Sequence, residues 1–141
     1  ASEARLIFIM LNPSTADAFK SDPTVTRCLG YAYAWGYDDL IVLNLYAYRA
    51  TDPHALLKID DPIGQLNDAI IEGILQRQDK GALVVCAWGN HGLLHHRGYR
   101  VSQMVAESGR QPYALALNST GEPKHPLYCR RAITPGELIP L

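Results

Sequence analysis

The chain is poor in cysteine and has no long apolar run. Its three cysteines, Cys28, Cys86 and Cys129, are an odd number without CxxC spacing, which excludes a disulfide framework and a four-cysteine zinc or iron–sulfur site. No apolar run approaches the roughly 20 residues that a bilayer span needs. The first residues, Ala-Ser-Glu-Ala-Arg, lack the basic segment and apolar core of a signal peptide. We therefore expect a cytoplasmic protein with buried free thiols.

The chain also lacks a strong net charge. Its formal net charge of −1 provides no general attraction to nucleic acid. Cations are nevertheless concentrated between residues 95 and 131, where six of them stand against two acids. The cations are Arg97, Arg100, Arg110, Lys124, Arg130 and Arg131, and the acids are Glu107 and Glu122. This stretch leaves room for a local patch that contacts phosphate.

The length and composition of the chain are those of a single folded domain. A length of 141 residues, with 48% hydrophobic and 19% charged residues, predicts a single domain covering residues 1–141. Four short apolar segments, rich in β-branched or aromatic residues, predict strands over residues 5–11, 40–46, 82–88 and 112–117. Because their hydrophobicity is nearly continuous, we expect a parallel sheet that is buried on both faces.

Helix signals fall between these strands. Asp22-Pro23 and Asp61-Pro62 each place a capping residue before a proline, and they predict helices that begin there. The first runs to Gly36, and a third helix is expected over Tyr99–Ser108. The order βαβαβαβ predicts an α/β fold, a three-layer α/β/α sandwich around a four-stranded parallel sheet. The proline- and glycine-rich end predicts a loop, a short helix near residues 127–132 and an extended tail.

The candidate site follows from this sheet. Ligands of open parallel sheets bind at the carboxyl ends of the strands, because loops and helix N-termini converge there. Polar or aromatic residues occur at or after each predicted strand end. They are Asn12, Ser14, Thr15 and Asp17 for the first strand, Asn44 and Arg49 for the second, Trp88 and Asn90 for the third, and His125 for the fourth. We predict a ligand site around Asn12, Asn44, Trp88 and His125.

Several of these residues also fit structural roles. Asn44 interrupts an apolar strand, so its amide either reads a ligand's hydrogen-bonding edge or ties down a neighbouring loop. Asn12 precedes a proline, which is common in turns. Trp88 either packs in the core or offers a platform for a planar ring. These alternatives stay open at the level of sequence.

Other familiar sites are missing from the sequence. His91, His95 and His96 have no Asp or Glu nearby and no H-E-x-x-H spacing, so a solvated loop is expected rather than a metal site. There is no P-loop, no GxGxxG after the first strand and no GxSxG elbow. These absences argue against a nucleotide triphosphatase, a Rossmann oxidoreductase and an α/β-hydrolase. No metal or cofactor is expected.

Six motifs give the chain a family resemblance. MLNPSTAD, DPTVTRC, NLYAYRATDP, DDPIG, AWG and GEPKHPLY, in this order, resemble the bacterial and phage family called domain of unknown function 1643. The resemblance covers most of the chain. It implies no reaction by itself.

A more distant resemblance implies a chemistry. The four predicted strand ends are similar in order and character to those of the uracil-DNA glycosylase superfamily, a four-stranded parallel α/β fold. Asn12 stands where the mismatch-specific branch has an asparagine that positions the attacking water. Asn44 matches a base-reading asparagine, the segment 87–89 matches a Leu-Trp-Gly-like strand end, and the segment 125–127 resembles a late His-Pro-Ser-Pro-Leu motif.

The resemblance implies N-glycosidic bond hydrolysis, in which the base leaves as an anion. His125 would stabilise that anion, Asn12 would hold a water below the sugar, Asn44 would read the base, and a nearby aromatic side chain would stack on it. Arg49 or Arg131 would hold phosphate. The chain departs from the family pattern at Met10 and Ser14, which replace glycines, and in the absence of the strong carboxylate base and of the late Ser-Pro.

These departures and the low net charge favour a small or single-stranded substrate over tight duplex binding. The leading hypothesis is a glycosylase-like enzyme that acts on a base in a nucleotide, nucleoside or single-stranded nucleic acid. The alternative is a non-catalytic nucleotide- or nucleic-acid-binding module of the same fold. The expected partners are accordingly a nucleotide, a nucleobase or a single strand, without a membrane, and the sequence leaves the oligomeric state open.

Overall fold

The fold is taken from a computed structural model, which describes residues 5–13, 22–48, 52–64, 66–77 and 81–141. Within these ranges the strands are β1 (Arg5–Met10), β2 (Asp39–Asn44), β3 (Leu83–Cys86), β4 (Pro112–Ala114) and β5 (Ile139–Pro140). The α-helices are α1 (Pro23–Trp35), α2 (Asn67–Arg77) and α3 (Arg97–Glu107). Short 3₁₀ helices span Pro53–Lys58, Pro126–Tyr128 and Pro135–Glu137. The segment Asn90–His96 contains 3₁₀ turns that are interrupted by a kink at Leu94 and His95. None of the described helices is long and apolar enough to cross a membrane.

The strands form one mixed sheet in the order β2-β1-β3-β4-β5. β1 to β4 are parallel to their neighbours, whereas β5 is antiparallel to β4. The sheet is therefore mixed and five-stranded rather than parallel and four-stranded, and its fifth strand lies where the sequence predicts an extended tail. The tail folds back because it pairs with the edge of β4, where Leu141 N–H donates to Pro112 O over 2.9 Å.

Helices cover both faces of this sheet. Side chains alternate along β1, so that one face packs against α1 and the C-terminal segment and the other packs against α2 and α3. The α1 core contains Leu6, Phe8, Met10, Cys28, Tyr31, Val85, Ala87, Cys129, Ile133 and Leu138, among others. The opposite core contains Ile7, Ile9, Leu11, Ile71, Leu75, Cys86, Trp88, Val101, Met104 and Val105, among others. The prediction of helices on both faces is confirmed.

The helix α1 begins and ends where its sequence signals predict. Asp22 Oδ1 accepts hydrogen bonds from the backbone N–H of Thr24 at 2.8 Å and of Val25 at 3.4 Å. Pro23 occupies the first helical position, where no N–H partner is needed. Gly36 ends the helix with φ of 80°, a left-handed conformation that favours glycine.

The start of α2 was predicted wrongly. The helix begins at Asn67 and not at Asp61-Pro62. Asp61 Oδ1 instead accepts from Gly64 N–H at 3.2 Å, and Gly64 turns the chain with φ of 85°. The carbonyls of residues 62 and 63 accept from Tyr48 and Ala47, so this segment runs beside the chain that leaves β2.

Two boundaries near the C-terminus also differ from the predictions. β4 ends at Ala114 rather than at residue 117, because the chain turns back on itself there: Asn118 N–H donates to Glu122 O at 2.9 Å and Leu117 forms a bridge with Pro123. The predicted short helix near residues 127–132 is the single 3₁₀ turn Pro126–Tyr128.

Candidate functional site

The carboxyl ends of β1 and β2 lie side by side. Met10 pairs with Asn44 in the parallel register, and the pairing continues beyond the strands, where Leu45 N–H donates to Met10 O at 2.9 Å. Asn12 follows this last pair. Its Nδ2 donates to Tyr48 O at 3.2 Å. The amide of Asn12 thus joins the chain leaving β1 to the chain leaving β2, at the edge where the sequence predicts a ligand.

Asn44 closes β2 and is half-buried. Its backbone carbonyl accepts from Asn67 Nδ2 at 3.0 Å, which fixes the strand end from α2. Because side chains alternate along a strand and Val42 packs in the α1 core, the Asn44 side chain lies on the α1 face. Within the described ranges, we find no hydrogen bond of its side-chain amide. The amide is therefore placed to present a donor and an acceptor at the sheet edge.

His125 lies beyond β4 on the same α1 face. The backbone before it is fixed by Lys124 N–H, which donates to Ala116 O at 2.9 Å. His125 Nδ1 accepts from Leu127 N–H at 3.2 Å, so in the neutral ring the proton resides on Nε2. Burial lowers the pKa of this imidazole, and the Asp22 carboxylate opposes that shift. The result is a neutral histidine with an Nε2–H donor.

We expect His125 to titrate below the usual histidine value of 6.5. A lowered pKa in the folded state means that the unfolded chain binds the proton more readily, so stability rises with pH in this window. The contribution of His125 to the free energy of unfolding is complete above pH 6.5 and is lost as the pH falls below 6.5 through the folded pKa. An NMR titration of the imidazole measures the pKa directly. A value above 6.5 would contradict the prediction.

Trp88 lies on the opposite face of the sheet. It follows β3 in phase with Cys86 and packs in the core under α2 and α3, with 2% of its surface exposed. Glycines make this packing possible, because a Cβ at Gly92 would overlap Trp88 Cδ1 and one at Gly98 would lie 2.7 Å from Trp88 Nε1. Of the alternatives for Trp88, the structure shows the core position. It does not bring Trp88 onto the face that carries Asn44 and His125.

Glu122 lies beside the Trp88 indole. Burial raises the pKa of this carboxyl, and the indole N–H lies close enough to oppose the rise. Among the described residues, no group meets hydrogen-bond geometry with Trp88 Nε1. Trp88 and Glu122 also line a pocket of about 260 Å³ next to the start of α3.

Asn90 joins the loops that follow β3 and β4. Its Oδ1 accepts from Asn118 Nδ2 at 2.9 Å and from Thr120 Oγ1 at 2.6 Å. The neighbouring Gly89 N–H donates to Pro123 O at 2.8 Å. The side-chain carbonyl of Asn90 therefore connects the loop after β3 with the loop after β4, at the carboxyl edge of the sheet.

The remaining predicted residues fall into two groups. Arg131 is exposed and lines a pocket of about 480 Å³ beside α1, together with Arg27. Ser14, Thr15, Asp17 and Arg49 lie outside the described residues.

Of the three loop histidines, His95 and His96 are exposed and His91 is half-buried. Over the residues that the structure describes, no group of three potential metal ligands is found.

Comparison with known protein families identifies the family of the chain. A family model with the description "Protein of unknown function (DUF1643)" matches residues 1–127. The chain belongs to the DUF1643 family. No curated protein and no solved structure gives a match to it.

Sequence reasoning missed the groups that hold the β2 end of this DUF1643 chain in place. Arg97 is 2% exposed, and its Nε donates to Leu45 O at 2.8 Å while Nη1 pairs with Asp68. Tyr46 is fully buried, and its hydroxyl donates to Leu94 O at 2.6 Å. A signal for Arg97 exists in the sequence, because it shares the spacing of the apolar stripe Val101, Met104 and Val105 on α3.

Proposed function

We propose that this chain hydrolyses the N-glycosidic bond of a base carried by a nucleotide, a nucleoside or single-stranded nucleic acid. The observation that carries the proposal is the hydrogen bonding of His125. Its Nδ1 accepts from Leu127 N–H, and burial lowers its pKa, so the ring is a neutral donor at neutral pH. It stands on the same face of the sheet as the amide of Asn44.

The proposed reaction needs such a donor. The bond between the sugar C1′ and the base nitrogen breaks, and its electron pair stays with the base, which leaves as an anion. A hydrogen bond from His125 Nε2–H to the base would stabilise the developing charge. The neutral ring already carries this proton on Nε2, so no change of protonation is needed before the bond breaks. Water adds to C1′, and the proton that it releases ends on the departed base.

Two amides support this assignment. Asn44 would read the edge of the base, because a side-chain amide offers a donor and an acceptor together. Asn12 would hold the attacking water, because the bond from its Nδ2 to Tyr48 O places its amide at the carboxyl ends of β1 and β2. Tyr128 is 80% exposed with its ring 5.9 Å from that of His125, and it would stack on the base in place of Trp88.

One observation favours the second candidate, a binding module of the same fold. Asp22 is the carboxylate that acts electrostatically on His125. Its Oδ1 accepts from two backbone N–H groups at the start of α1, which commits it to capping the helix rather than to activating water. A binding module needs no such base, so this site would then recognise a nucleotide without cleaving it.

A substrate panel separates the two candidates. We would incubate the chain with single strands, duplexes, nucleotides and nucleosides that contain uracil or modified bases, and measure free base by mass spectrometry. Release of free base with a matching sugar product supports hydrolysis. Thermal stabilisation by a ligand that stays intact supports the binding module and contradicts the proposed reaction.

Asn44→Leu tests the recognition step. The substitution removes the amide at nearly constant size, and a base edge read by a paired donor and acceptor is worth about 1–3 kcal/mol. We therefore expect the affinity for the best ligand of the panel to fall roughly 5- to 150-fold, as measured by calorimetry. Unchanged affinity at an unchanged melting temperature would show that Asn44 does not read the base.

A further inference from the structure

A pocket of about 480 Å³ opens beside the N-terminal half of α1. One wall is α1, which contributes Arg27, Gly30 and Tyr31, and the other contains Leu127 and Arg131. Two arginines therefore line one cavity. No acidic residue lines it among the residues that the structure describes. Such a pocket has the charge that an anionic ligand requires.

Arg27 is built into the wall of this pocket. Its Nη1 donates to Pro126 O at 3.1 Å and to Cys129 O at 2.9 Å. These two bonds hold the planar guanidinium between α1 and the turn that follows His125. A guanidinium held in this way loses little conformational freedom when it binds an oxygen ligand.

Arg131 contributes the second positive charge. The neighbouring Arg130 is paired with Glu137 and is partly neutralised. For Arg131, we find no ion pair within the described ranges. The two consecutive arginines thus differ in function: one stabilises the C-terminal segment, and the other leaves its charge at the pocket.

The pocket adjoins the proposed catalytic group. Leu127 connects the pocket to His125. Its backbone N–H donates to His125 Nδ1, and the same residue lines the pocket. His125 is not among the residues that line the pocket, so a ligand whose base lies against its ring would have to reach past Leu127 to bring a sugar-linked phosphate to Arg27 and Arg131. Phosphate oxygens match the paired N–H donors of arginine.

We propose that this pocket binds a phosphate group of the substrate, which makes the substrate a nucleotide or a single strand rather than a nucleoside or a free base. The inference rests on the proposed function for the base-bearing ligand, but phosphate binding itself does not require turnover. The shared chemistry is phosphate, as the monoester of a nucleotide or the diester of a strand.

Gly30 provides a sharp test. A Cβ at this position meets no heavy atom within 4 Å, so Gly30→Glu places a carboxylate at the pocket without a steric clash. Gly30→Gln adds the same bulk without the charge. Arg131→Gln removes a pocket charge, and Arg100→Gln removes one charge from the exposed surface of α3 on the other side of the sheet. Together these variants separate pocket charge from bulk and from net charge.

The probes are deoxyuridine, its 5′-monophosphate, inorganic phosphate and a deoxyuridine ten-mer without terminal phosphate, measured by calorimetry at fixed salt. We expect the monophosphate or the ten-mer to bind roughly tenfold or more tighter than deoxyuridine. Gly30→Glu and Arg131→Gln should remove that advantage, whereas Arg100→Gln should keep it. Preference for the monophosphate identifies a free nucleotide, and preference for the ten-mer identifies a strand.

Two results distinguish this inference from the proposed function. Phosphate-dependent binding that Gly30→Glu removes, without any release of base, would support the pocket and overturn the proposed hydrolysis. Equal affinity for deoxyuridine, its monophosphate and the ten-mer, unaffected by Gly30→Glu and Arg131→Gln in folded protein, would overturn the phosphate pocket. Hydrolysis itself would then still be judged by base release alone.

Discussion

Replacing His125 with alanine is expected to slow base release by about 10²- to 10³-fold, the usual loss when one donor to a developing anion is removed. The donor acts mainly as charge develops, so the affinity for the intact substrate should change much less than the rate. Single-turnover rates and dissociation constants, measured on the same preparation, give both quantities.

His125→Asn is the matched control for the structural role of this residue. The histidine caps the turn Pro126–Tyr128 by accepting from Leu127 N–H, and asparagine can accept that bond in its place. It cannot supply the Nε2–H. We expect both variants to be slow, with His125→Asn the more stable of the two. Near-normal rates in the asparagine variant would show that His125 serves only as a cap.

Gly98→Ala is expected to destabilise the chain by about 1–3 kcal/mol, the usual cost of overpacking a core. The added Cβ would lie 2.7 Å from Trp88 Nε1, 2.9 Å from Trp88 Cε2 and 3.1 Å from Glu122 Oε1. Trp88 is 2% exposed and its ring lies against both Gly92 and Gly98, so it cannot move away cheaply. Urea denaturation measures the change in the free energy of unfolding.

Gly73→Ala is the control, because Gly73 also lies inside a helix but its Cβ would meet no heavy atom within 4 Å. Alanine there should stabilise the chain by roughly 0.5–1 kcal/mol through helix propensity alone. The two substitutions are chemically identical and should have opposite signs. If both stabilise the chain, the close packing of Gly98 on Trp88 is wrong.

Local sequence signals predicted much of the fold. The helix α1 follows from Asp22-Pro23 and Gly36, because its caps are made by residues adjacent in the chain. The same kind of signal at Asp61-Pro62 failed, since the carbonyls there bond to the chain after β2. β5 could not be predicted either. It consists of Ile139–Pro140, and only its pairing with β4 makes it a strand.

The positions of two candidate residues follow from the predicted strand ends. The rule of strand ends correctly placed Asn12 and Asn44 at one edge, because β1 and β2 are paired in register to their ends. The same rule does not predict on which face of the sheet each side chain lies. The alternation that puts Cys86 and Trp88 in one core is visible in the sequence, but which helices cover that core depends on the tertiary fold.

The most direct test of the proposed function is a single-turnover measurement of free base with the chain in excess over each substrate of the panel. We expect one substrate to release its base nearly completely, and His125→Ala to release it about 10²- to 10³-fold more slowly. A substrate that binds tightly, protects the chain against heat and remains intact would contradict the proposed hydrolysis.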